Sequence, residues 1–245
     1  MRRIFRNNGL TLVLVVLFLG TWAGQFAAGL RAHNQDRHDH GRPPVPALDY
    51  LAGGHFWQAT AENWESEFLQ MAMFVLLTCF LFQKGSPESK DPDEPDPVDN
   101  DPRGARSDPK APWPVRRGGA ALWVYSHSLT IALTLLFVGS IGMHARHGAR
   151  AYNEDQLEHG GAPVSAWQYV GTAQFWFESF QNWQSEFLSL AAMVYLGVYL
   201  RQRGSAESKP VAAPHGESGQ DIEPDEHARR VAKNWPSGHV RTAFS

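Results

Sequence analysis

Two strings, ENWESEFL at 62–69 and QNWQSEFL at 181–188, each set a carboxylate next to an indole and an amide, just ahead of an apolar run. The carboxylates common to both are Glu67 and Glu186. If the two approach each other they share protons, with one acid weakened, and such a pair can relay protons or bind a cation. Arg31 and Arg150 offer another pairing, because each ends the apolar run that precedes its string. Arg31–Glu67 and Arg150–Glu186 ion pairs would neutralise both charges and join two helices. Asn63 and Asn182 stand one helical turn before each Glu and can extend either arrangement. These six residues form the candidate intramembrane polar network, and the sequence leaves both pairings open, with ligand binding a third use. Glu65 has Gln184 as its counterpart, so it is read as a solvated charge not required by both copies.

The same spacing of 119 repeats Asn34, Asp36 and His40 as Asn153, Asp155 and His159. Carboxylate, amide and imidazole can hold a divalent metal. The neighbouring histidines do not repeat, however, and Asn, Asp and His-Gly also shape turns. Loop shaping is therefore the expectation, and neither a metal nor a cofactor is expected. His127 and His144 have no facing partner on another span, which speaks against a bis-histidine haem. With a single cysteine, Cys79, a disulfide within the chain and a CxxC redox pair are both excluded. No nucleophile–base set, phosphate loop or zinc signature appears, so a non-enzymatic protein is expected. A net charge of −3 without a basic patch points away from nucleic acid.

The elements that must position these residues are membrane helices. Residues 9–30 and 118–143 carry no charge, and a helix crossing the bilayer needs about 20 such residues. Two further runs, 64–83 and 183–202, reach that length when counted from the Trp of each string. The first span, behind Arg2, Arg3 and Arg6, is read as an anchor rather than a cleaved leader. Trp57, Trp64, Trp176 and Trp183 fall where rings bridge lipid and water.

Aligning 7–90 with 126–209 without a gap gives 35 identities in 84 positions, an internal duplication. Two crossings per copy give both copies the same orientation, as parallel repeats. Lys and Arg number 17 in the N-terminus, middle and tail against 5 in the two intervening loops, so the termini are expected in the cytoplasm. The expected organisation is a first repeat at 1–83 with outer loop 31–63, then an acidic, Pro-rich, disordered linker at 84–117. A second repeat at 118–203 follows, with outer loop 144–182, and then a disordered tail at 204–245. The fold class is an all-α membrane protein with four transmembrane helices, arranged as two tandem parallel-repeat helical hairpins.

The strings AYNEDQLEHG, FW-x5-NW-x-SEFL and RQRGSAESK, with looser versions in the first copy, resemble an uncharacterised family of bacterial membrane proteins, a domain of unknown function. The resemblance implies a bacterial inner (cytoplasmic) membrane location and no particular activity. The chain is thus expected to be a multi-pass envelope protein with a structural or partner-binding role. The alternative is a small transporter or proton/cation conduit using Glu67 and Glu186. The expected partners are the lipid bilayer and either another protein or a second copy of the chain; the substrate or ion stays open.

Overall fold

The structure, a computed structural model, describes residues 2–217. The rest of the expected tail lies outside the described residues. Helices account for all regular structure among the described residues: α1 (Arg2–Asp39), α2 (Ala47–Ala52), α3 (Gly54–Leu77), α4 (Trp113–Arg117), α5 (Gly119–Ser126), α6 (Ser128–Glu158), α7 (Ala166–Val170) and α8 (Ala173–Tyr199). Two helices, Arg3–Asp39 within α1 and Ser128–Glu158 (α6), are long and apolar enough to cross a membrane. The chain divides into two compact units. One combines Met1–Met71 with Ile131–Ser185, and the other combines Ala72–Thr130 with Glu186–Ser245.

The helices differ from their expected bounds at both ends. α1 and α6 run beyond residues 30 and 143 into the expected outer loops, and α3 and α8 begin at Gly54 and Ala173 rather than at the Trp of each string. α3 also stops at Leu77, short of 83. The run 118–143, expected as one helix, is broken at His127 (φ −114°, ψ 9°). Asn8, 119 positions earlier, interrupts α1 in the same way (φ −134°, ψ 16°). In each case the side chain bonds the carbonyl four residues back, His127 Nδ1 to Trp123 O at 2.7 Å and Asn8 Nδ2 to Ile4 O at 3.2 Å. A side chain competing for that carbonyl favours a local break in the helix.

The ends of α1 and α6 explain the repeated His-Gly. Gly41 (φ +70°) and Gly160 (φ +76°) take the left-handed conformation that closes a helix without a Cβ penalty. Around each, two backbone N–H groups reach back to the last turn: Gly41 to His38 O and Arg42 to Arg37 O, then Gly160 to Leu157 O and Gly161 to Gln156 O. On the helix side of each glycine, Asn34 and Asn153 each clasp the loop that follows. Asn34 donates to Val45 O at 3.1 Å and accepts from Val45 N at 2.7 Å. Asn153 does the same with Val164 at 2.8 and 2.7 Å. These clasps hold α2 and α7 against the helices before them, and Ser165 adds a capping box on α7.

In the first unit the core gathers Ala149, Tyr169 and Phe175, with Ile141, Tyr152 and Val164 packed around them. Gly148 makes room for Tyr169, since a Cβ there would meet the ring, and Gly29 does the same for the Tyr50 hydroxyl. In the second unit GSPESK and GSAESK form matching turns. Ser89 accepts from Gln83 N, and Ser208 from Gln202 N, each at 2.8 Å. The linker 84–117, expected to lack local structure, contains two 3₁₀ turns, Pro97–Asp99 and Pro102–Ala105, followed by α4. Asp96 and Asp101 cap the two turns ahead of a Pro, so the Asp-Pro pairs build local structure in place of a core.

Candidate functional site

Three helices of the first unit bring charged side chains together around His144. α3 contributes Gln58, Glu62 and Glu65, whose spacing of four and three puts them on one face. α6 contributes His144, and α8 contributes Gln174 and Glu178, one turn apart. His144 is fully buried, as is Glu65. His144 Nδ1 lies 2.8 Å from Glu65 Oε2, and Nε2 lies 3.1 Å from Glu178 Oε2 and 3.6 Å from Glu62 Oε1. The imidazole stacks on Phe175 at 4.6 Å and meets Tyr169 edge-on at 6.2 Å. Its rotation is therefore fixed by packing as well as by hydrogen bonds.

A second ring of polar groups holds the carboxylates in place. Trp183 Nε1 donates to Glu65 Oε1 at 3.0 Å. Gln174 and Gln58 donate to Glu178 Oε1 at 2.6 and 3.0 Å, and the Tyr169 hydroxyl donates to Glu178 Oε2. Buried charges need such partners, because each unpaired one costs several kcal/mol. Burial opposes ionisation of Glu178, but donors from His144, Tyr169 and Gln174 outweigh it and hold the acid below the usual carboxylate range. Burial, then the bond to Glu178, pushes the Tyr169 phenol above its ordinary value. Glu62 is pushed up to about 7, first by burial and then by the neighbouring Glu178. The centre sets three carboxylates around one imidazole, and the raised Glu62 acid relieves part of their mutual repulsion by holding its proton.

A small cavity of about 260 Å³ opens onto Glu178, lined by His55, Gln58, Tyr152, Asp155 and Gln174 among others. Nearby, His55 Nε2 bonds Glu154 Oε2 at 3.0 Å. Arg42, from the first loop, is ion-paired with Glu158 at the end of α6.

The residues expected to form the polar network lie elsewhere. Arg31 and Glu67 are both exposed, and no ion pair joins them among the described residues. Glu67 lines a groove of about 980 Å³ formed by α1, α3 and α6, with Trp22, Trp64, Leu135 and Met143 on its walls. Arg150 is exposed and Glu186 half-buried. Asn63 and Asn182 bond the carbonyls four residues back on their own helices, Ala59 O at 2.7 Å and Glu178 O at 3.0 Å. Of the aromatics, Trp57 donates to Leu51 O at 2.8 Å, Trp64 stacks near Phe18 and Trp22, and Trp176 packs against Phe175 and Phe180. Trp183, expected as an interfacial ring, anchors Glu65 through its indole N–H. In the loops, His40 and His159 bond the carbonyls of Asp36 and Asp155 at 2.8 and 2.9 Å, closing the helix ends.

The reading of Glu65 as solvated is corrected: it is among the most buried side chains of the described residues. Comparison of the two copies favoured residues that both retain, yet every charged member of this centre differs between them. Glu62, Glu65, His144 and Glu178 stand opposite Gln181, Gln184, Gln25 and Ala59. That set of mismatches was the available signal. The shared residues build the scaffold, and the unshared ones build one centre on it.

A family model described as a domain of unknown function (DUF6766) matches residues 1–220. No curated protein and no solved structure matches the chain.

Proposed function

The chain belongs to the DUF6766 family, a domain of unknown function, and from that premise we propose that it is a membrane protein that binds a cation at the His144 centre, acting as a binding protein rather than an enzyme. The observation that carries this is the cage itself, in which a fully buried imidazole is bracketed by three carboxylates from two other helices at 2.8–3.6 Å. A purely structural contact would not need this charge, since well-packed apolar side chains serve a core equally well or better. Buried ionisable groups around a small cavity are instead the usual mark of a ligand or ion site. The cation reading thereby moves from Glu67 and Glu186 to Glu62, Glu178 and His144.

The membrane architecture in this proposal is a bacterial inner-membrane protein of four spans in two tandem parallel-repeat hairpins. Residues 9–30 and 118–143 cross first in each copy, and the stretches from Trp64 and Trp183 onward cross back. The excess of Lys and Arg outside the two repeated loops puts both termini in the cytoplasm. His144 and the loops then lie on the outer side. An envelope partner-binding role is a second reading, supported by Trp167, which is 86% exposed at the tip of that side.

Cation binding is tested on the full chain in detergent, by thermal unfolding against a panel of alkali, alkaline-earth and transition-metal cations. The wild type is expected to gain stability with at least one of them, and His144→Gln to gain none. A flat response of the wild type across the panel rejects the reading. Topology is tested in a Cys79→Ser background with Asp39→Cys or Leu157→Cys. Both are expected to label from outside in intact cells, and protection of both overturns the orientation.

A further inference from the structure

We infer that Glu62, His144 and Glu178 are the protein ligands of a single divalent transition-metal ion, with Glu65 as the residue that orients the histidine. This deepens the cation reading above and rests on it. One ligand atom from each of the three residues lies within 4.8 Å of the others. The measured separations from His144 Nε2, 3.1 Å to Glu178 and 3.6 Å to Glu62, bracket the distance of about 3.4 Å between ligands that sit about 2.1 Å from a tetrahedral metal. A metal can therefore take the place of the direct imidazole–carboxylate contacts with little movement of the helices.

The chemistry of the donor set selects the metal class. One imidazole nitrogen and two carboxylate oxygens suit Zn²⁺, Mn²⁺ or Fe²⁺. An all-oxygen Ca²⁺ or Mg²⁺ site has no use for the histidine, and the absence of thiolate disfavours Cu(I). Three protein ligands would leave a coordination position for water or a small ligand, and Glu178 is the one of the three that borders the neighbouring cavity.

The surroundings are those of a prepared ligand set. A metal-bound histidine characteristically donates its other ring N–H to a carboxylate, which fixes the tautomer. Here Nδ1 faces Glu65 Oε2 at 2.8 Å, so a metal at Nε2 would displace only the proton that this nitrogen donates to Glu178. Glu65 is itself fixed by Trp183, and Glu178 by Gln58, Gln174 and Tyr169. Asp155 on the cavity wall, with the His55–Glu154 pair nearby, gives an acidic approach from solvent. The duplication supplies an internal control. At the positions related by the 119-residue offset stand Gln25 and Ala59 of the first copy and Gln181 and Gln184 of the second, a neutral set with no imidazole and no carboxylate. One metal per chain, rather than two, follows.

The full chain, purified in detergent and stripped with a chelator, is titrated with Co²⁺ as an optical probe and then challenged with Zn²⁺. One equivalent of Co²⁺ is expected, with visible bands of low coordination number that Zn²⁺ removes. Glu62→Gln and Glu178→Gln are expected to weaken binding by more than about 100-fold. Glu65→Gln, acting only through the histidine, is expected to weaken it about 10–100-fold. Glu67→Gln should match the wild type. Circular dichroism and gel filtration confirm that each variant is folded, and Glu62→Gln introduces a side chain that the other copy already carries in this register. A stripped wild-type chain that binds neither Co²⁺ nor Zn²⁺ overturns the inference. So does stoichiometric binding that survives both Glu62→Gln and Glu178→Gln. If the wild type instead responds only to alkali or alkaline-earth cations, the metal assignment fails while the cation reading stands.

Discussion

Gly148→Ala offers a quantitative test of how the centre is supported. A Cβ at 148 would lie 2.9 Å from Tyr169 Cζ and closer still to Cε1. Tyr169 is held in place: it is fully buried, packed against Phe175 and Tyr152, and bonded to Glu178. Forcing a methyl into such packing costs about 1–3 kcal/mol. Displacing the hydroxyl from an ionised carboxylate costs about 1.5–3 kcal/mol more, and the better helix propensity of Ala returns up to about 1 kcal/mol. The net loss is about 1.5–6 kcal/mol, or roughly 3–24 °C in melting temperature for a chain of this size.

The equivalent Gly29→Ala meets a different obstacle. The clash there is with the Tyr50 hydroxyl, while Cζ is at 3.3 Å and Cε1 at 3.7 Å. Removing that oxygen with Tyr50→Phe should relieve the clash, so the double variant should melt no lower than Tyr50→Phe alone. Tyr169→Phe leaves the offending ring carbons in place, so Gly148→Ala should remain destabilising in that background. Thermal unfolding of the six single and double variants in detergent decides it. The packing argument is refuted if Gly148→Ala melts within about 2 °C of the wild type, or if Tyr169→Phe rescues it while Tyr50→Phe fails to rescue Gly29→Ala.

Asn153→Ala removes both bonds of the Val164 clasp and should cost about 1–3 kcal/mol, with Asn34→Ala similar; urea unfolding reads both, and no shift in either denies the clasps a structural role. Trp183→Phe leaves Glu65 Oε1 without its indole donor and should destabilise the chain by about 1–3 kcal/mol, more than Trp176→Phe, as judged by melting temperature. Glu88 and Glu207 face each other in the second unit, and burial followed by the neighbouring charge raises the Glu88 acid above its ordinary value. An acid weakened by folding adds stability while it is protonated, and that stability drains away as pH rises from the unfolded value through the raised one. Glu88→Gln should flatten this part of the stability–pH curve on the acid side of neutrality, and an unchanged slope would count against the pairing.

Much of the local structure is legible in the sequence because local chemistry dictates it. The apolar runs at 9–30 and 118–143 lie in helices, and His-Gly ends two of them because only a left-handed residue lets the last turn close on itself. Asn34 and Asn153 shape loops through bonds spanning eleven residues, within reach of sequence reasoning. Repetition at 119 positions marks these features because both copies need the same backbone. It also misdirects. It singled out Glu67, which lies exposed on a groove, and it discounted Glu65, which is buried beside His144.

Only tertiary packing decided the site. Its members come from 58–65, 144 and 169–183, and no periodicity links a histidine on one helix to carboxylates on two others. What makes Glu65 a partner rather than a solvated charge is the arrival of His144 and Trp183 from 79 and 118 residues away. A lone carboxylate on a helix remains hydrated. It goes into the interior only where a donor from another element replaces that water, and the positions of those donors are set by how the helices pack.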